Sequence, residues 1–245
     1  SQSPITVLEH TLATLLIIED GQVKGLETIN SNTGQKGSFT GRFVVLATGG
    51  AGQLFRYTTN PSVATGDGVA LAFRAGAQVM DMEFYQFHPT AFRMTGSDPF
   101  LMSEAIRGEG AVLRNREGSA FMADYHPMAE LAPRDVVSRA IAAEMEKAGS
   151  DEVFLDFSHL PSQVVLGRVP NIHHFCQDHG LDITKNLISV APASHYMMGG
   201  VRTDTWGRTN IHGLCSCGEA ACAAVHGANS LASNSLLDTL VFAHR

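Results

Sequence analysis

The pattern of hydrophobic and polar positions predicts strands in the first part of the chain. Four apolar, β-branched segments lie between residues 5 and 48, separated by the turn sequences DG at 20–21 and NTG at 32–34. The segments are ITVLE (5–9), LATLLIIE (12–19), QVKGLETI (22–29) and FVVLAT (43–48). The last segment runs directly into a glycine-rich turn, as a buried strand at a nucleotide-contacting edge does.

Helices are predicted further along. GDGVALAFRAGA (66–77) reads as a short helix, and the segment 132–149 has the clearest helical period. One face of this helix is predicted to be apolar, with Glu144 and Lys147 on the opposite face. The apolar face consists of Val136, Val137, Ala140, Ile141 and Met145. VFLDF (153–157) is strand-like, whereas FHPTAF and PASHYMMGG read as loops. The predicted fold class is α/β plus α+β.

Composition narrows the function classes. The 245 residues are 44% apolar and 17% charged, enough for a real core, and the formal charge of −7 gives no basic field for nucleic acid or anionic lipid. No apolar run reaches the roughly 20 residues that a membrane span needs. The four cysteines show no disulfide framework, which favours a reducing, cytoplasmic setting. Because the chain starts at Ser1 and stops inside an apolar run at Arg245, we expect an internal fragment of a longer protein.

The turn ATGGAG, with Gly49 and Gly50, follows a predicted strand and suits close backbone approach to a phosphate or nucleotide. A tight structural turn explains it equally well. No GxGxxG fingerprint occurs in the chain, so a dinucleotide-binding half is expected to be missing or the cofactor to be held differently.

Two histidines and three charged residues are candidates for chemistry. Pro89 biases His88 to an extended backbone, and His195 is flanked by glycines, but each also fits an ordinary structural histidine. Arg134 follows Pro133 at a predicted helix start, where a cation opposes the helix dipole; pairing with Asp135 is the structural alternative.

Glu104 and Arg107 are three residues apart, which permits a proton relay and favours an ordinary surface salt bridge. The remaining histidines and cysteines lack the paired spacing of a structural zinc site, so no metal is expected.

Nine segments, in order, resemble the flavoproteins of the succinate dehydrogenase and fumarate reductase superfamily. Within it, Pro133, Ala91 and the sequence SNSLL are similar to the L-aspartate oxidase family. The segments are VVLATGG, TGDGVALAFRAGA, EFYQFHPTAF, SEAIRGEGA, ELAPRDVVSRAI, FLDFSHL, PASHYMMGGV, GRTNIHGLCSCGEAA and HGANSLASNSLLD.

The resemblance implies a role for each matching residue. Arg134 would exchange a proton with the substrate carbon, and Glu104 and Arg107 would relay that proton. Substrate would be bound by His88, Ser103, His195, Ser233 and the position of Ser230. Non-covalent FAD would be contacted by Gly49, Gly50, Asp67, Glu219, Ser235 and Leu236.

The reaction implied is transfer of a hydride from the α-carbon of L-aspartate to flavin N5, giving iminoaspartate, with oxygen or fumarate as acceptor. The product would feed quinolinate and NAD biosynthesis, which suggests a link to quinolinate synthase. The implied architecture is a partial, Rossmann-like FAD-binding domain at 1–81 and 197–245 with an inserted capping domain at 82–196. Without the GxGxxG half, we expect the isolated chain neither to retain FAD nor to turn over.

One position departs from the family pattern. The segment HGANSLASNSLL has Ser230 where the family has an arginine that clamps a substrate carboxylate. A hydroxyl lacks the charged fork of a guanidinium. Two alternatives to an aspartate oxidase therefore stay open: a succinate dehydrogenase or fumarate reductase flavoprotein, and a truncated or non-catalytic descendant.

Overall fold

A computed structural model describes residues 5–231 and 234–245 of the chain. Its strands are β1 (Thr11–Glu19), β2 (Gln22–Asn30), β3 (Lys36–Thr40), β4 (Val44–Leu46), β5 (Val79–Met80), β6 (Tyr85–Phe92), β7 (Val112–Arg114), β8 (Val153–Asp156), β9 (Ile188–Met197), β10 (Gly200–Arg202), β11 (Leu214–Ser216) and β12 (Ala221–Cys222). Its α-helices are α1 (Asp67–Arg74), α2 (Glu104–Gly108), α3 (Met122–Tyr125), α4 (Arg134–Ala148), α5 (Ser162–Arg168), α6 (Pro170–Asp178) and α7 (Asn234–His244). The mixed α/β fold class predicted from the sequence is confirmed.

The chain divides into two compact units. The first unit comprises residues 1–51, 62–85 and 196–245, and the second comprises 52–61 and 86–195. Each has its own buried apolar cluster, one around Val23, Ala72 and Val201 and the other around Ile106, Ile141 and Leu155.

The first unit contains an antiparallel sheet in the order β1-β2-β3. The predicted turn at Asp20 and Gly21 joins β1 to β2, and both residues have positive φ (51° and 74°), which matches the right-handed twist of a hairpin. The strand predicted at 5–9 is wrong. Those residues form no ladder and are exposed, Ile5 by 90%, because pairing with β2 begins only at Thr11.

The first unit also contains the strand pair that carries the glycine-rich turn. β4 lies parallel to β11, with Val44 opposite Leu214 and Leu46 opposite Ser216. The carboxyl ends of both strands therefore meet at one edge, where ligands of α/β proteins bind. α1 follows, confirming the predicted short helix, and β12, β10 and β5 form a further small sheet.

The second unit is built on a four-stranded sheet in the order β6-β9-β8-β7. His88 lies in β6 and His195 in β9, so the loops predicted for both segments are wrong. The extended backbone expected before Pro89 is present, but it is part of a strand. Sheet pairing overrode the turn-forming residues that suggested loops.

α4 packs against the core of the second unit through Val137, Ala140 and Ile141, as its apolar stripe predicted. Glu144 is the exception, because it is buried rather than opposite the stripe. Its carboxylate accepts hydrogen bonds from Tyr125 (2.7 Å), Lys147 (2.7 Å) and Asn115 (3.1 Å), which hold its pKa down at about 2. A buried carboxylate is tolerated at this position because these three hydrogen-bond donors replace the water that it loses.

Within the described ranges, no helix has the length and apolar character to cross a bilayer.

We expect Glu144→Ala to lower the free energy of unfolding by about 2 kcal/mol at pH 7, because Tyr125 and Asn115 lose a charged acceptor. Urea denaturation measures the change, and Glu146→Ala, an exposed position on the same helix, is the matched control. Since the pKa of Glu144 is lowered, its stabilisation is complete above about pH 4.5 and is lost as the pH falls towards 2. Equal losses in the two variants would contradict this account.

Candidate functional site

Arg134 is the centre of a polar cluster in the second unit. Its Nε donates to Glu104 Oε2 at 2.8 Å and its Nη1 donates to Gln86 Oε1 at 3.1 Å. Arg134 opens α4, Glu104 opens α2 and Gln86 lies in β6, so three elements fix one guanidinium. The suggested pairing of Arg134 with Asp135 is wrong, since Asp135 binds Arg139 at 2.6 Å.

Arg107 is not part of a surface salt bridge, contrary to the interpretation from spacing. Its side chain is 2% exposed and Glu104, its expected partner, binds Arg134 instead. Arg107 Nη1 donates to the Glu130 carbonyl oxygen at 2.6 Å, while its Nε and Nη2 have no hydrogen-bond partner within the described part of the chain. Burial lowers the pKa of Arg107 without neutralising it, so this is a buried cation with spare donors.

His88 and His195 lie side by side on neighbouring strands, with their ring centroids 5.3 Å apart in an edge-to-face arrangement. Burial lowers the pKa of His88 well below 6.5, and His195 when protonated and the charges of Arg134 and Arg107 lower it further. Burial and the charge of Arg134 also lower the pKa of His195. Both imidazoles are therefore neutral at pH 7.

The tautomer of His88 follows from one backbone hydrogen bond. The Thr90 N–H donates to His88 Nδ1 at 3.3 Å, and an N–H group can only donate. The proton of the neutral ring must then be on Nε2. His88 thus offers a neutral N–H donor beside two guanidinium groups, an environment that suits a carboxylate.

Hydrogen-bond donors gather in this cluster. Arg107 and Arg134 contribute two positive charges, which are balanced by Glu104 and Glu130, both close enough to act on the pKa of Arg107. The Arg134 guanidinium and the neutral His88 N–H can together bind a carboxylate and orient it. The ion pair of Arg134 with Glu104 can also pass a proton between side chains.

The glycine-rich turn of the first unit has room for close backbone approach. Gly49 has φ of +73° and no atom lies within 4 Å of where a Cβ would be, whereas a Cβ on Gly50 would collide with the Glu219 carboxylate. Glu219 follows β11, and its Oε1 accepts the Met197 N–H at 2.8 Å; burial raises its pKa. A backbone without side chains at the edge of a parallel strand pair fits a nucleotide cofactor.

Ser230, also in the first unit, is buried and bonded. Its Oγ lies 3.1 Å from His226 Nδ1, and His226 Nε2 lies 3.2 Å from the Tyr196 hydroxyl and 3.9 Å from Asp238. Ser230 therefore belongs to a polar chain inside its own unit and brings no charge.

The remaining predicted residues lie at the starts of helices. Ser103 immediately precedes α2, and Asp67 is the exposed first residue of α1, where its carboxylate accepts the Thr65 hydroxyl at 2.7 Å. Ser235 and Leu236 lie in the first turn of α7. Ser233 lies outside the described residues.

Sequence reasoning missed Gln86, Thr59 and His226. Gln86 is two residues before His88, so reading that segment as a strand would have placed both on one face. Thr59 contacts His195 across 136 positions, and no local signal marks it.

The described residues contain no group of three or more histidine, cysteine, aspartate or glutamate side chains able to hold a metal ion.

The model of the FAD binding domain family matches residues 1–236. Among curated proteins, an L-aspartate oxidase of Synechocystis sp. is 50% identical over 98% of this chain and 44% of its own length. A chloroplastic L-aspartate oxidase of Arabidopsis thaliana is 48% identical over 98% of this chain and 39% of its own length.

Among solved structures, an E. coli quinol fumarate reductase superposes with a TM-score of 0.87 and 37% identity, covering 95% of this chain and 42% of that one. The chain thus spans less than half the length of these relatives.

We expect His88→Gln to reduce the acid sensitivity of folding. Because the pKa of His88 is lowered in the folded protein, the unfolded chain binds this proton more readily. The contribution of His88 to the free energy of unfolding is therefore complete above about pH 6.5 and decreases as the pH falls below that value. Urea midpoints at pH 7.5 and 5.5 should differ less in the variant than in the wild type. The exposed His174 provides the control variant His174→Gln, and an unchanged pH dependence in His88→Gln would refute the assignment.

Proposed function

Since the chain belongs to the FAD binding domain family, we propose that it is part of a flavin-dependent oxidase that converts L-aspartate to iminoaspartate. The observation that carries the proposal is the Arg134 cluster, in which a guanidinium fixed by Glu104 and Gln86 lies close to two neutral histidines. The 50% identity to an L-aspartate oxidase supports the choice of substrate.

Substrate binding is assigned to the second unit. A dicarboxylate carries two negative charges, which the Arg134 guanidinium can attract, and His88 supplies a directional N–H. The spare donors on Arg107 strengthen the positive field without being consumed by protein partners. Ser103 adjoins this cluster through Glu104 and is proposed to add a hydroxyl contact.

Bound FAD would accept two electrons from the α-carbon of aspartate and deliver them to oxygen or fumarate. The residues proposed to hold it are Gly49, Gly50, Asp67, Glu219, Ser235 and Leu236. Gly49 leaves its backbone open to a ligand, and the first turn of α7 lies at the positive end of a helix dipole, which favours negative charge.

Arg134 is proposed to donate a proton to the acceptor carbon when fumarate is reduced. Glu104, 2.8 Å from Arg134 Nε, would return the proton to the guanidinium, and Gln86 would keep the guanidinium plane fixed. Arg107 raises the electrostatic cost of protonating His88, and Arg134 does so for both histidines, so protons are proposed to pass through Glu104.

The wider setting is proposed from the relatives and the cysteines. All four cysteines are free, which suits the reducing cytoplasm. Iminoaspartate would be consumed in quinolinate formation for NAD biosynthesis, so quinolinate synthase is the proposed downstream partner. The two units are proposed to be an FAD-binding domain, with segments near 1–81 and 197–245, and a capping domain near 82–196.

A fumarate reductase or succinate dehydrogenase flavoprotein is the second candidate. The TM-score of 0.87 to a quinol fumarate reductase favours it, and the higher identity to aspartate oxidases disfavours it. Turnover of L-aspartate without added quinone, set against turnover of succinate with an artificial acceptor, distinguishes the two.

In the complete FAD-loaded protein, we expect Arg134→Gln to lower kcat about a thousandfold, because proton transfer to carbon is lost. Arg134→Lys should also be impaired, since an ammonium cannot bind Glu104 and Gln86 as a planar fork does. Arg139→Gln, on the exposed face of the same helix, is the control. Near wild-type fumarate reduction by Arg134→Gln, with FAD still bound, would remove Arg134 from the mechanism.

A substitution at Ser230 tests whether the missing arginine lowers the catalytic efficiency of the enzyme. We expect Ser230→Arg to raise kcat/KM for L-aspartate about tenfold, because it adds a carboxylate clamp worth about 1.4 kcal/mol. Ser230→Met adds bulk without charge and controls for loss of the His226 contact. If a folded, FAD-loaded Ser230→Arg variant shows no gain, another cation already serves this carboxylate.

A further inference from the structure

A short segment from the start of the second unit runs beside the residues that precede and include His195. The Thr59 N–H donates to the Ser194 carbonyl at 3.0 Å, and the Ser194 N–H donates to the Tyr57 carbonyl at 2.9 Å. Thr58 and Ser194 form a parallel bridge. Residues 57–59 therefore extend the backbone pairing of β9 at the position of the histidine.

Two side chains of this segment bind His195 itself. Asn60 Nδ2 donates to the His195 carbonyl oxygen at 2.9 Å. Thr59 Oγ1 lies 2.9 Å from His195 Nδ1, a distance at which a hydroxyl and a ring nitrogen share a full hydrogen bond. Backbone and ring are thus held by consecutive residues.

The segment is itself firmly placed. Gln53 Nε2 donates to the carbonyl oxygens of Asn60 and Pro61, both at 3.1 Å. A Cβ on Gly52 would collide with the side chains of Asn60 and Thr58, so only glycine permits this close approach. The Thr59 hydroxyl is therefore held in place and can orient the His195 imidazole.

The direction of the Thr59 hydrogen bond follows from its two acceptors. The hydroxyl proton can go to His195 Nδ1 at 2.9 Å or to the Ser194 carbonyl at 3.5 Å. The shorter contact is much the stronger, and that carbonyl already accepts the Thr58 hydroxyl at 3.0 Å and the Thr59 N–H. The proton therefore favours Nδ1.

We propose that Thr59 is a positioning residue that donates its hydroxyl proton to His195 Nδ1 and so holds the imidazole with its own proton on Nε2. The Thr90 N–H does the same for His88 through Nδ1. Two neutral imidazoles, 5.3 Å apart, then present the same kind of donor atom. Neither Nε2 has a hydrogen-bond partner among the residues that the structure describes, so both are free for a ligand.

This inference rests on the proposed dicarboxylate oxidase function, and it assigns a specificity determinant to that site. A carboxylate accepts hydrogen bonds but cannot donate, so an Nε2 lone pair would repel it and an Nε2–H would bind it. Thr59 would thus select anionic acceptor groups over ligands that donate hydrogen bonds.

The first test measures the tautomers directly. In the FAD-loaded protein labelled with ¹⁵N-histidine, the expected spectrum shows a protonated Nε2 and an unprotonated Nδ1 for both His88 and His195 at pH 7.5. The variants His88→Gln and His195→Gln assign the signals. A proton on Nδ1 of His195 would overturn the proposal, whether or not the protein oxidises aspartate.

The second test separates positioning from structure. Thr59→Val, which keeps the shape and removes the hydroxyl, should raise KM for L-aspartate about fivefold with less than about twofold change in kcat, as loss of a single hydrogen bond in substrate binding predicts. Thr59→Ser should restore KM. Thr58→Val is the matched control, because Thr58 binds the Ser194 carbonyl in the same bridge but does not touch the ring.

The outcomes distinguish this inference from the proposed function. A protein with the expected tautomers that oxidises no aspartate would refute the function and leave the positioning role to be judged by succinate binding, where Thr59→Val should weaken affinity about fivefold. An unchanged KM in Thr59→Val, or an equal rise in Thr58→Val, would refute positioning while leaving the oxidase function in place.

Discussion

Compensation of positive charge is the constraint on which the second unit depends. Removing a guanidinium from water costs several kcal/mol unless other groups replace its hydration. Arg134 meets this requirement with Glu104 and Gln86, and Arg107 meets part of it with the Glu130 carbonyl. These partners come from β6, α2 and the segment before α4, so satisfying two cations brings three elements to one place. The same unit contains a second example in Glu144, whose buried carboxylate gathers Tyr125, Lys147 and Asn115.

The histidines owe their properties to this arrangement. A lone histidine titrates near neutrality, but burial beside Arg134 keeps both His88 and His195 neutral. In the proposed function their neutrality has a use, because a neutral imidazole with a defined tautomer would be a directional donor that does not compete with Arg134 for protons. The arginines supply positive electrostatic potential, and the histidines supply N–H donors with a defined orientation. The proposed anionic substrate would use both.

The first unit has a different feature, a backbone left open at the end of a parallel strand pair, where the cofactor is proposed to bind. β4 and β11 end together, and Gly49 leaves its backbone open, whereas the Glu219 carboxylate occupies the space beside Gly50. Ser230 belongs to a separate polar chain with His226 and Tyr196. A family member with arginine at this position would place a charge where this chain has only a hydroxyl. Membership of the FAD binding domain family is shown by the family match, whereas the effect of serine at position 230 is left to the proposed substitution.

The sequence by itself determined the family, the mixed α/β class and the regular elements with a strong local period, such as α1, α4 and the β1-β2 hairpin, because apolar spacing and turn residues act over a few positions. It also identified Arg134, His88 and His195 as candidates through their motifs. Only the tertiary structure decided that both histidines lie in strands, that Glu104 pairs with Arg134, that Arg107 is buried, and that Thr59 contacts His195. These features depend on partners up to 136 positions apart, and the energy of a charge or an imidazole is set by what surrounds it in space rather than along the chain.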